Sequence, residues 1–403
     1  MRLCMWTRPV VFFVSYFYSF KRLTALPPSP ELLASGRLQC AVAAALVDAA
    51  LAFKDKIDDG SLEPDKLGGV PQCMSAYPFL FNSCRIPSSP SDKVVIHHVA
   101  RGETRVLVAR RGRLYTVRTH DAGGQRLTQP ELAAALCAVV RAADAAGDAT
   151  LPLGVLTSGK RAEWAAAREL LCTVPSNALA FLAIERAALM VCLDSHCPAH
   201  VGESGAGERA RQMWHGDGVN RFYDKTLQLI VLPDGNAGFL GEHSLADGAP
   251  TLRMCNDVLP AARHALAAAS EAGLLQQPPH PLTANCVSEI VLEGVERVGE
   301  SLREARAAFE AHVVGHQTAR VAVKGLGSDA IKKLGVAPDA FCQMAMQVAF
   351  CRMHGRVAAT YEACATRRFL HGRTETIRSC SIESTRLSHA MAADTPPTPA
   401  QAC

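Results

Sequence analysis

The stretch 220–250 reads NRFYDKTLQLIVLPDGNAGFLGEHSLADGAP. Two short apolar runs, 227–232 and 237–240, flank the turn sequence Pro-Asp-Gly-Asn, a pattern that predicts a β-hairpin. The second predicted strand carries His243 just beyond its end, with Asp247 four residues further on. Gly248 and Pro250 then interrupt the chain, so we expect His243 on a loop held by the edge of a rigid sheet.

His243 is a candidate general base. An imidazole titrates near neutral pH, and a carboxylate within reach, such as that of Asp247, fixes its orientation and stabilises its cation. On spacing alone, a histidine that satisfies backbone groups of a turn is the commoner case, since perturbed histidines mark sites only in a minority of proteins.

The composition limits the class of protein. The 403 residues are enough for two domains, and 49% of them are hydrophobic. The net charge is +4, from 42 basic and 38 acidic residues. A charge balance as even as this one gives no basis for nucleic-acid binding. The apolar run 10–20 is too short for an ordinary transmembrane helix. A signal peptide, a transit peptide and a buried strand are the alternatives there, and the strand is favoured.

Fifteen cysteines are spread along the chain without a Cys-x-x-Cys pair. Their odd number and scattered positions favour reduced thiols over a disulfide framework, and they give no reason to expect a structural zinc site.

Predicted strands and helices alternate as far as His243, which indicates an α/β fold. A helix is predicted over 41–53, and a capping box at 128–131 predicts another to about residue 145. A hairpin is expected at 104–109 and 114–117, and further strands at 153–156 and 189–193. Helices are predicted over 257–272 and 299–314. The proline-rich stretch 276–281 is the candidate domain boundary, and the tail 392–403 is expected to be disordered.

A second candidate site follows in a basic, glycine-bearing loop. Lys324, Lys332 and Lys333 precede Pro338-Asp339, which is expected to begin a helix. Lysines before a helix N-terminus suit a phosphate, although lysines in such loops are common on ordinary surfaces.

Several of these segments together resemble the carnitine/choline acyltransferase family. The similar segments are 8–11, 220–231, 242–250, 324–341, 360–364 and 372–379. The resemblance implies the two-domain coenzyme A-dependent acyltransferase fold, with mixed sheets flanked by helices. It places an N-terminal α/β domain at 1–280 and a partial C-terminal domain at 281–391, with family segments missing at both ends.

The resemblance also assigns roles to residues. It makes His243 the catalytic base and Asp247 its supporting carboxylate. It implies coenzyme A binding for Lys324, Lys332, Lys333 and Asp339, although Gly327 to Ala330 looks like an insertion. It implies carnitine binding for Tyr361, Ala363 and Thr374. A threonine at 374 fits carnitine, since choline-specific members have an apolar residue there.

The function implied is reversible acyl transfer between acyl-coenzyme A and carnitine, without an acyl-enzyme. Coenzyme A is then a co-substrate, and neither a prosthetic group nor a metal is expected. The alternatives are choline as acceptor, longer acyl chains, or an incomplete, non-catalytic coenzyme A-binding protein. The family also suggests a monomer in the mitochondrion or peroxisome.

Overall fold

The computed structural model describes residues 15–24, 30–198, 204–275, 286–318 and 323–393. It divides the chain into two compact units. The first unit comprises 1–63 and 76–319, and the second comprises 64–75 and 320–403. Within the described ranges, no helix combines the length and the apolar character needed to span a membrane.

The strands are β1 (Tyr16–Ser19), β2 (Lys66–Leu67), β3 (Val70–Pro71), β4 (Ser83–Ile86), β5 (Lys93–Ile96), β6 (Arg105–Arg110), β7 (Arg113–Arg118), β8 (Met190–Leu193), β9 (Leu227–Val231), β10 (Ala237–Gly241), β11 (Val287–Ile290), β12 (Glu362–Ala365) and β13 (Thr374–Ile377). The helices are α1 (Pro30–Ala34), α2 (Arg37–Asp58), α3 (Gln129–Ala146), α4 (Leu153–Ser158), α5 (Arg161–Cys172), α6 (Pro175–Arg186), α7 (Ser204–Trp214), α8 (Gly248–Glu271), α9 (Gly299–Val314), α10 (Ser328–Lys333), α11 (Pro338–His354) and α12 (Ile382–Ala392).

A seven-stranded mixed sheet forms the centre of the first unit. Its strand order is β1-β10-β9-β8-β6-β7-β11. The neighbours β6, β8 and β9 are parallel, whereas the other pairs are antiparallel. The predicted hairpins β9–β10 and β6–β7 are both confirmed, as are the capping box of α3 and the bounds of α9. The predicted α/β class is therefore confirmed.

Both faces of the five strands between the edge strands β1 and β11 are buried. Leu107, Met190 and Ile230 belong to a core that also holds apolar residues of α4, α5 and α9. Alternate residues such as Val108 and Val191 are equally buried, and they point to the opposite face. The alanine-rich α2 contacts β9, α3 and α8, and α3 contacts β6 and β7. Strands covered on both faces explain why their sequences are continuous apolar runs.

Three sequence predictions differ from the structure. The predicted strand 153–156 is wrong, because these residues form the buried helix α4. Thr157 and Ser158 donate hydroxyl hydrogen bonds to the carbonyls of Gly154 and Val155, 2.7 Å each, which stabilise this short helix. The predicted interruption at Gly248 and Pro250 is instead the first turn of α8, with Asp247 at the N-cap position. The helix predicted over 257–272 therefore begins nine residues earlier.

The division of the chain also differs from the predicted boundary at 280. Strand β11 pairs with β7, Val287 lying opposite Val117, so residues 286–318 lie in the first unit. Residues 276–281 and 394–403, which include most of the expected disordered tail, and the family-like segment 8–11 lie outside the described residues.

The second unit holds the ribbon β12–β13 and helices α10, α11 and α12. Arg367 joins the segment 64–75 to it. The guanidinium Nη2 atom lies 2.6 Å from Oδ2 of Asp65 and 3.0 Å from the carbonyl oxygen of Cys73.

The segment that enters β9 carries a buried ion pair. Arg221 Nη1 and Nη2 donate to Oδ1 and Oδ2 of Asp194 at 2.7 and 2.9 Å. Asn220 Nδ2 donates to the same carboxylate at 3.0 Å, and Gln212 donates as well. Burial alone would raise the pKa of Asp194, but the charge of Arg221 and these hydrogen bonds hold that pKa below its ordinary value.

Asp224 and Lys225, further along the same motif, are buried as well. Trp164 Nε1 donates to Asp224 Oδ2 at 2.7 Å, and Arg161 Nη1 lies 2.8 Å from Asp224 Oδ1. Lys225 is fully buried, and its ammonium donates to the carbonyls of Ile184, Glu185 and Ala187 at the end of α6. Lys225 therefore caps α6 from inside the core.

We expect Arg221→Met to lower the free energy of unfolding by about 3–5 kcal/mol, because it leaves the carboxylate of Asp194 buried without its counter-charge. Urea denaturation followed by circular dichroism measures this. The double variant Asp194→Leu/Arg221→Met should lose less than the sum of the two single variants. The exposed Arg263→Met is the matched control. An Arg221→Met protein with the wild-type urea midpoint would contradict the assigned role.

Lys225 makes stability depend on pH. Burial lowers its pKa to about 8, whereas an unfolded lysine titrates near 10.4. Between these values the unfolded chain binds more protons, so the Lys225 contribution to the free energy of unfolding rises with pH. Burial raises the pKa of Cys192 to about 12, which gives a slope of opposite sign. We therefore expect the free energy of unfolding of the wild type, minus that of Lys225→Met, to rise between pH 8 and 10. The same difference taken with the exposed Lys93→Met should not change with pH.

Candidate functional site

His243 lies two residues beyond the end of β10. The backbone N–H of the preceding Glu242 still donates to the Thr226 carbonyl, at 3.1 Å, so the sheet holds this turn. The side chain of His243 is 41% exposed, and its Nδ1 atom lies 3.6 Å from Oδ1 of Asp247. This is the loop position expected from the sequence. The contact is longer than a hydrogen bond but suits attraction to an imidazolium.

Tyr16 of β1 lies against the imidazole. The two rings are 5.0 Å apart between centroids and meet edge to face at 80°. The Tyr16 hydroxyl accepts a hydrogen bond from Thr251 Oγ1 at 3.1 Å and lies 3.3 Å from the carbonyl oxygen of Asp247. Burial, partly offset by the Thr251 hydrogen bond, raises the pKa of Tyr16, so it stays a neutral support between His243 and α8.

Glu242 points inward, opposite to His243. Its side chain is 1% exposed and accepts from the Ser244 backbone N–H at 3.0 Å and from the Ser244 hydroxyl. Arg85 Nη1 lies 3.3 Å from Glu242 Oε1. Burial raises the pKa of Glu242, while Ser244 and Arg85 oppose that shift. Glu242 thus fixes the backbone on the far side of the histidine.

The Glu242 carboxylate begins a chain of buried charges. Arg85 Nε and Arg161 Nε each lie 2.6 Å from Oδ2 of Asp92, and Arg161 continues to Asp224. The members alternate in sign in the order Glu242, Arg85, Asp92, Arg161 and Asp224. This series of ion pairs connects the turn that carries His243 to the buried segment that enters β9.

The predicted coenzyme A residues lie in the second unit. Lys324 is exposed in the loop before α10, and Lys332 and Lys333 are exposed in the last turn of α10. Residues 327–330, expected to be an insertion, form the N-cap and first turn of α10. Asp339 lies in the first turn of α11, where its charge is favourable to the helix dipole.

The predicted carnitine residues lie on or beside the ribbon β12–β13. Ala363 pairs with Thr376, and Thr374 pairs with Ala365. Ala363 and Thr374 are therefore diagonal neighbours on one face, roughly 7–8 Å apart. Tyr361 precedes β12 and is 68% exposed. The structure thus brings Ala363 and Thr374 together in the second unit, and His243 and Asp247 together in the first.

Tyr16, Glu242 and Ser244 are neighbours of His243 that were not predicted from the sequence. Tyr16 reaches His243 through the pairing of β1 with β10, and nothing in the local sequence indicates a contact between segments so far apart in the chain. The position of Glu242 could have indicated its role, because a carboxylate directly after an apolar strand is either exposed or paired with a buried partner.

The family model described as "Choline/Carnitine o-acyltransferase" matches residues 4–402. The chain is 31% identical over 385 residues to mitochondrial carnitine O-acetyltransferase of Saccharomyces cerevisiae, covering 93% of this chain and 55% of that protein. It is 31% identical to human choline O-acetyltransferase, covering 86% and 46% of the two chains. It is 32% identical to human mitochondrial carnitine O-palmitoyltransferase 2, covering 80% and 47%.

The chain spans about half the length of the curated relatives it matches. The family match itself covers almost all of the chain, and it includes both the hairpin that carries His243 and the segments of the second unit. The chain therefore belongs to the choline/carnitine O-acyltransferase family.

Proposed function

We propose that this protein transfers acyl groups reversibly between coenzyme A and carnitine, with His243 as the general base. The observation that carries the proposal is the half-exposed imidazole held between the Asp247 carboxylate and the Tyr16 ring. Because Nδ1 faces the Asp247 carboxylate, we assign proton transfer to the second ring nitrogen, Nε2.

In the proposed reaction, Nε2 accepts the proton of the carnitine hydroxyl as its oxygen attacks the thioester carbonyl. The tetrahedral intermediate collapses with cleavage of the carbon–sulfur bond. The departing thiolate of coenzyme A takes the proton back from the imidazolium. Asp247 stabilises that cation, with Coulomb attraction at 3.6 Å. No acyl-enzyme is needed, since donor and acceptor react directly.

The substrate assignment rests on the relatives' names and on the second-unit residues. We assign the coenzyme A phosphates to Lys324, Lys332 and Lys333, with Asp339 as a further contact. We assign carnitine to the ribbon residues Tyr361, Ala363 and Thr374, where hydroxyl groups suit a carboxylate. Coenzyme A acts here as a co-substrate.

Choline and longer acyl chains stay alternatives, because relatives named for choline and for palmitoyl transfer match this chain at similar identity. The hydroxyl of Thr374 favours carnitine over choline. Two of the relatives are named mitochondrial, so we extend the proposal to a mitochondrial location. A peroxisomal location and a monomeric state remain predictions from the sequence.

We expect His243→Ala to lower the rate of acyl transfer by about two to four powers of ten, the usual effect of losing a general base. The assay follows release of the coenzyme A thiol from acetyl-, octanoyl- and palmitoyl-coenzyme A, with carnitine or choline as acceptor. The exposed His264→Ala is the matched control. Wild-type turnover by His243→Ala would refute the assignment. Coenzyme A binding without any turnover by the wild type would favour the non-catalytic alternative.

Glu242 is proposed as a positioning residue. We expect Glu242→Ala to speed hydrogen exchange at the Ser244 amide and to lower kcat more than it raises KM. It should also cost about 3 kcal/mol of stability, because Arg85 loses a buried partner. Glu242→Gln keeps an acceptor for Ser244 and should restore part of the exchange protection. The exposed Glu271→Ala is the control. Unchanged exchange and kcat in Glu242→Ala would exclude this role.

A further inference from the structure

Two arginines, Arg105 and Arg118, lie side by side on strands β6 and β7 of the first unit. Arg105 begins β6, Arg118 ends β7, and the two residues lie directly opposite each other across the strands. Among the described residues, neither guanidinium has a carboxylate oxygen within 4.0 Å. Burial, together with the charge of Arg118, lowers the pKa of Arg105. Like charges placed opposite one another destabilise a sheet, so stability does not account for this pair.

An apolar stripe faces the same space. Leu179, Leu182, Ala183 and Arg186 follow the spacing i, i+3, i+4 and i+7 and therefore share one face of α6. Leu179 is 69% exposed and Leu182 is 37% exposed. The residues of α6 that build the core, including Phe181 and Ile184, lie on another face. The exposed leucines are thus not needed to attach α6 to the sheet.

The arginine pair and the leucine stripe line one cavity of about 450 Å³, together with Val99. Its wall is fixed by main-chain bonds, since Ala188 N donates to the Arg105 carbonyl at 2.8 Å and Thr119 N donates to the Thr104 carbonyl at 3.2 Å. Arg186 also lines the cavity, but its guanidinium lies 3.7 Å from the carboxylate of Glu103. The cavity is therefore lined by three guanidinium groups and one carboxylate, which leaves an excess of two positive charges.

We infer that this cavity binds a small amphipathic anion, with a carboxylate or phosphate head on Arg105 and Arg118 and an apolar tail along Leu179 and Leu182. Guanidinium groups pair with carboxylate and phosphate oxygens in bidentate fashion. The volume lies within the range of small-molecule sites, which combine apolar lining with a few convergent polar groups. None of its lining residues belongs to the site assigned to acyl transfer.

Isothermal titration calorimetry with the whole chain tests this inference. Octanoate and octyl phosphate are the two probes, and the tighter one identifies the head group. Acetate lacks the tail, and octyltrimethylammonium reverses the charge, so both should bind at least tenfold more weakly. Arg105→Gln, Arg118→Gln and Leu179→Ser should each weaken the better probe about tenfold, whereas the exposed Arg263→Gln should not.

Two further measurements distinguish anion binding from a structural role of the arginine pair. Arg105→Gln should keep or raise the wild-type Tm, because it removes a like-charge contact; a lower Tm would indicate a structural role and overturn the inference. Acyl transfer by Arg105→Gln should be unchanged, so the test does not depend on the proposed function. The inference also fails if neither probe binds saturably, if octyltrimethylammonium binds equally well, or if Arg105→Gln binds like the wild type.

Discussion

The buried ion pair between Asp194 and Arg221 is the constraint on which the site depends. Asp194 follows β8, and Arg221 precedes β9, so the pair joins two parallel strands at the centre of the sheet. Removing two charges from water is costly, and Asn220 and Gln212 offset part of that cost by donating further hydrogen bonds to the carboxylate. Because β9 pairs with β10, the salt bridge holds the start of the hairpin whose second strand leads to His243.

The buried charges of the first unit form a connected framework. Lys225 is attached to the end of α6, and Asp224 contacts Arg161, which leads through Asp92 and Arg85 to Glu242. Each cation in this framework contacts an anion or a set of carbonyl groups. Leaving any one member without its partner would be costly, so the framework resists local change. The histidine turn gains its rigidity from the interior of the domain, although the imidazole itself is half-exposed.

Local patterns in the sequence predicted the hairpin β9–β10, the capping box of α3 and the bounds of α9, because each depends on neighbouring residues. The strand predicted at 153–156 is wrong, because a short apolar run has no period that separates a strand from a buried helix. The predicted domain boundary lies at a proline-rich stretch, although β11, which follows that stretch, pairs with β7 of the first unit. His243 and Asp247 were found by spacing and resemblance. Tyr16 and Arg85 reach the site through contacts between distant segments, which no local pattern contains.

The register of β10 determines which side chain of the following turn points into the interior and which points outward. Successive residues of an extended strand point to opposite sides, and Glu242 and His243 continue this alternation beyond Gly241. The alternation sends the carboxylate to Arg85 in the interior and the imidazole outward to Asp247. A slip of one residue would exchange the two side chains, leaving Arg85 without the Glu242 carboxylate and turning the imidazole of His243 into the interior. The five residue pairs of β9 and β10 therefore fix the positions of Glu242 and His243 as well as the hairpin itself.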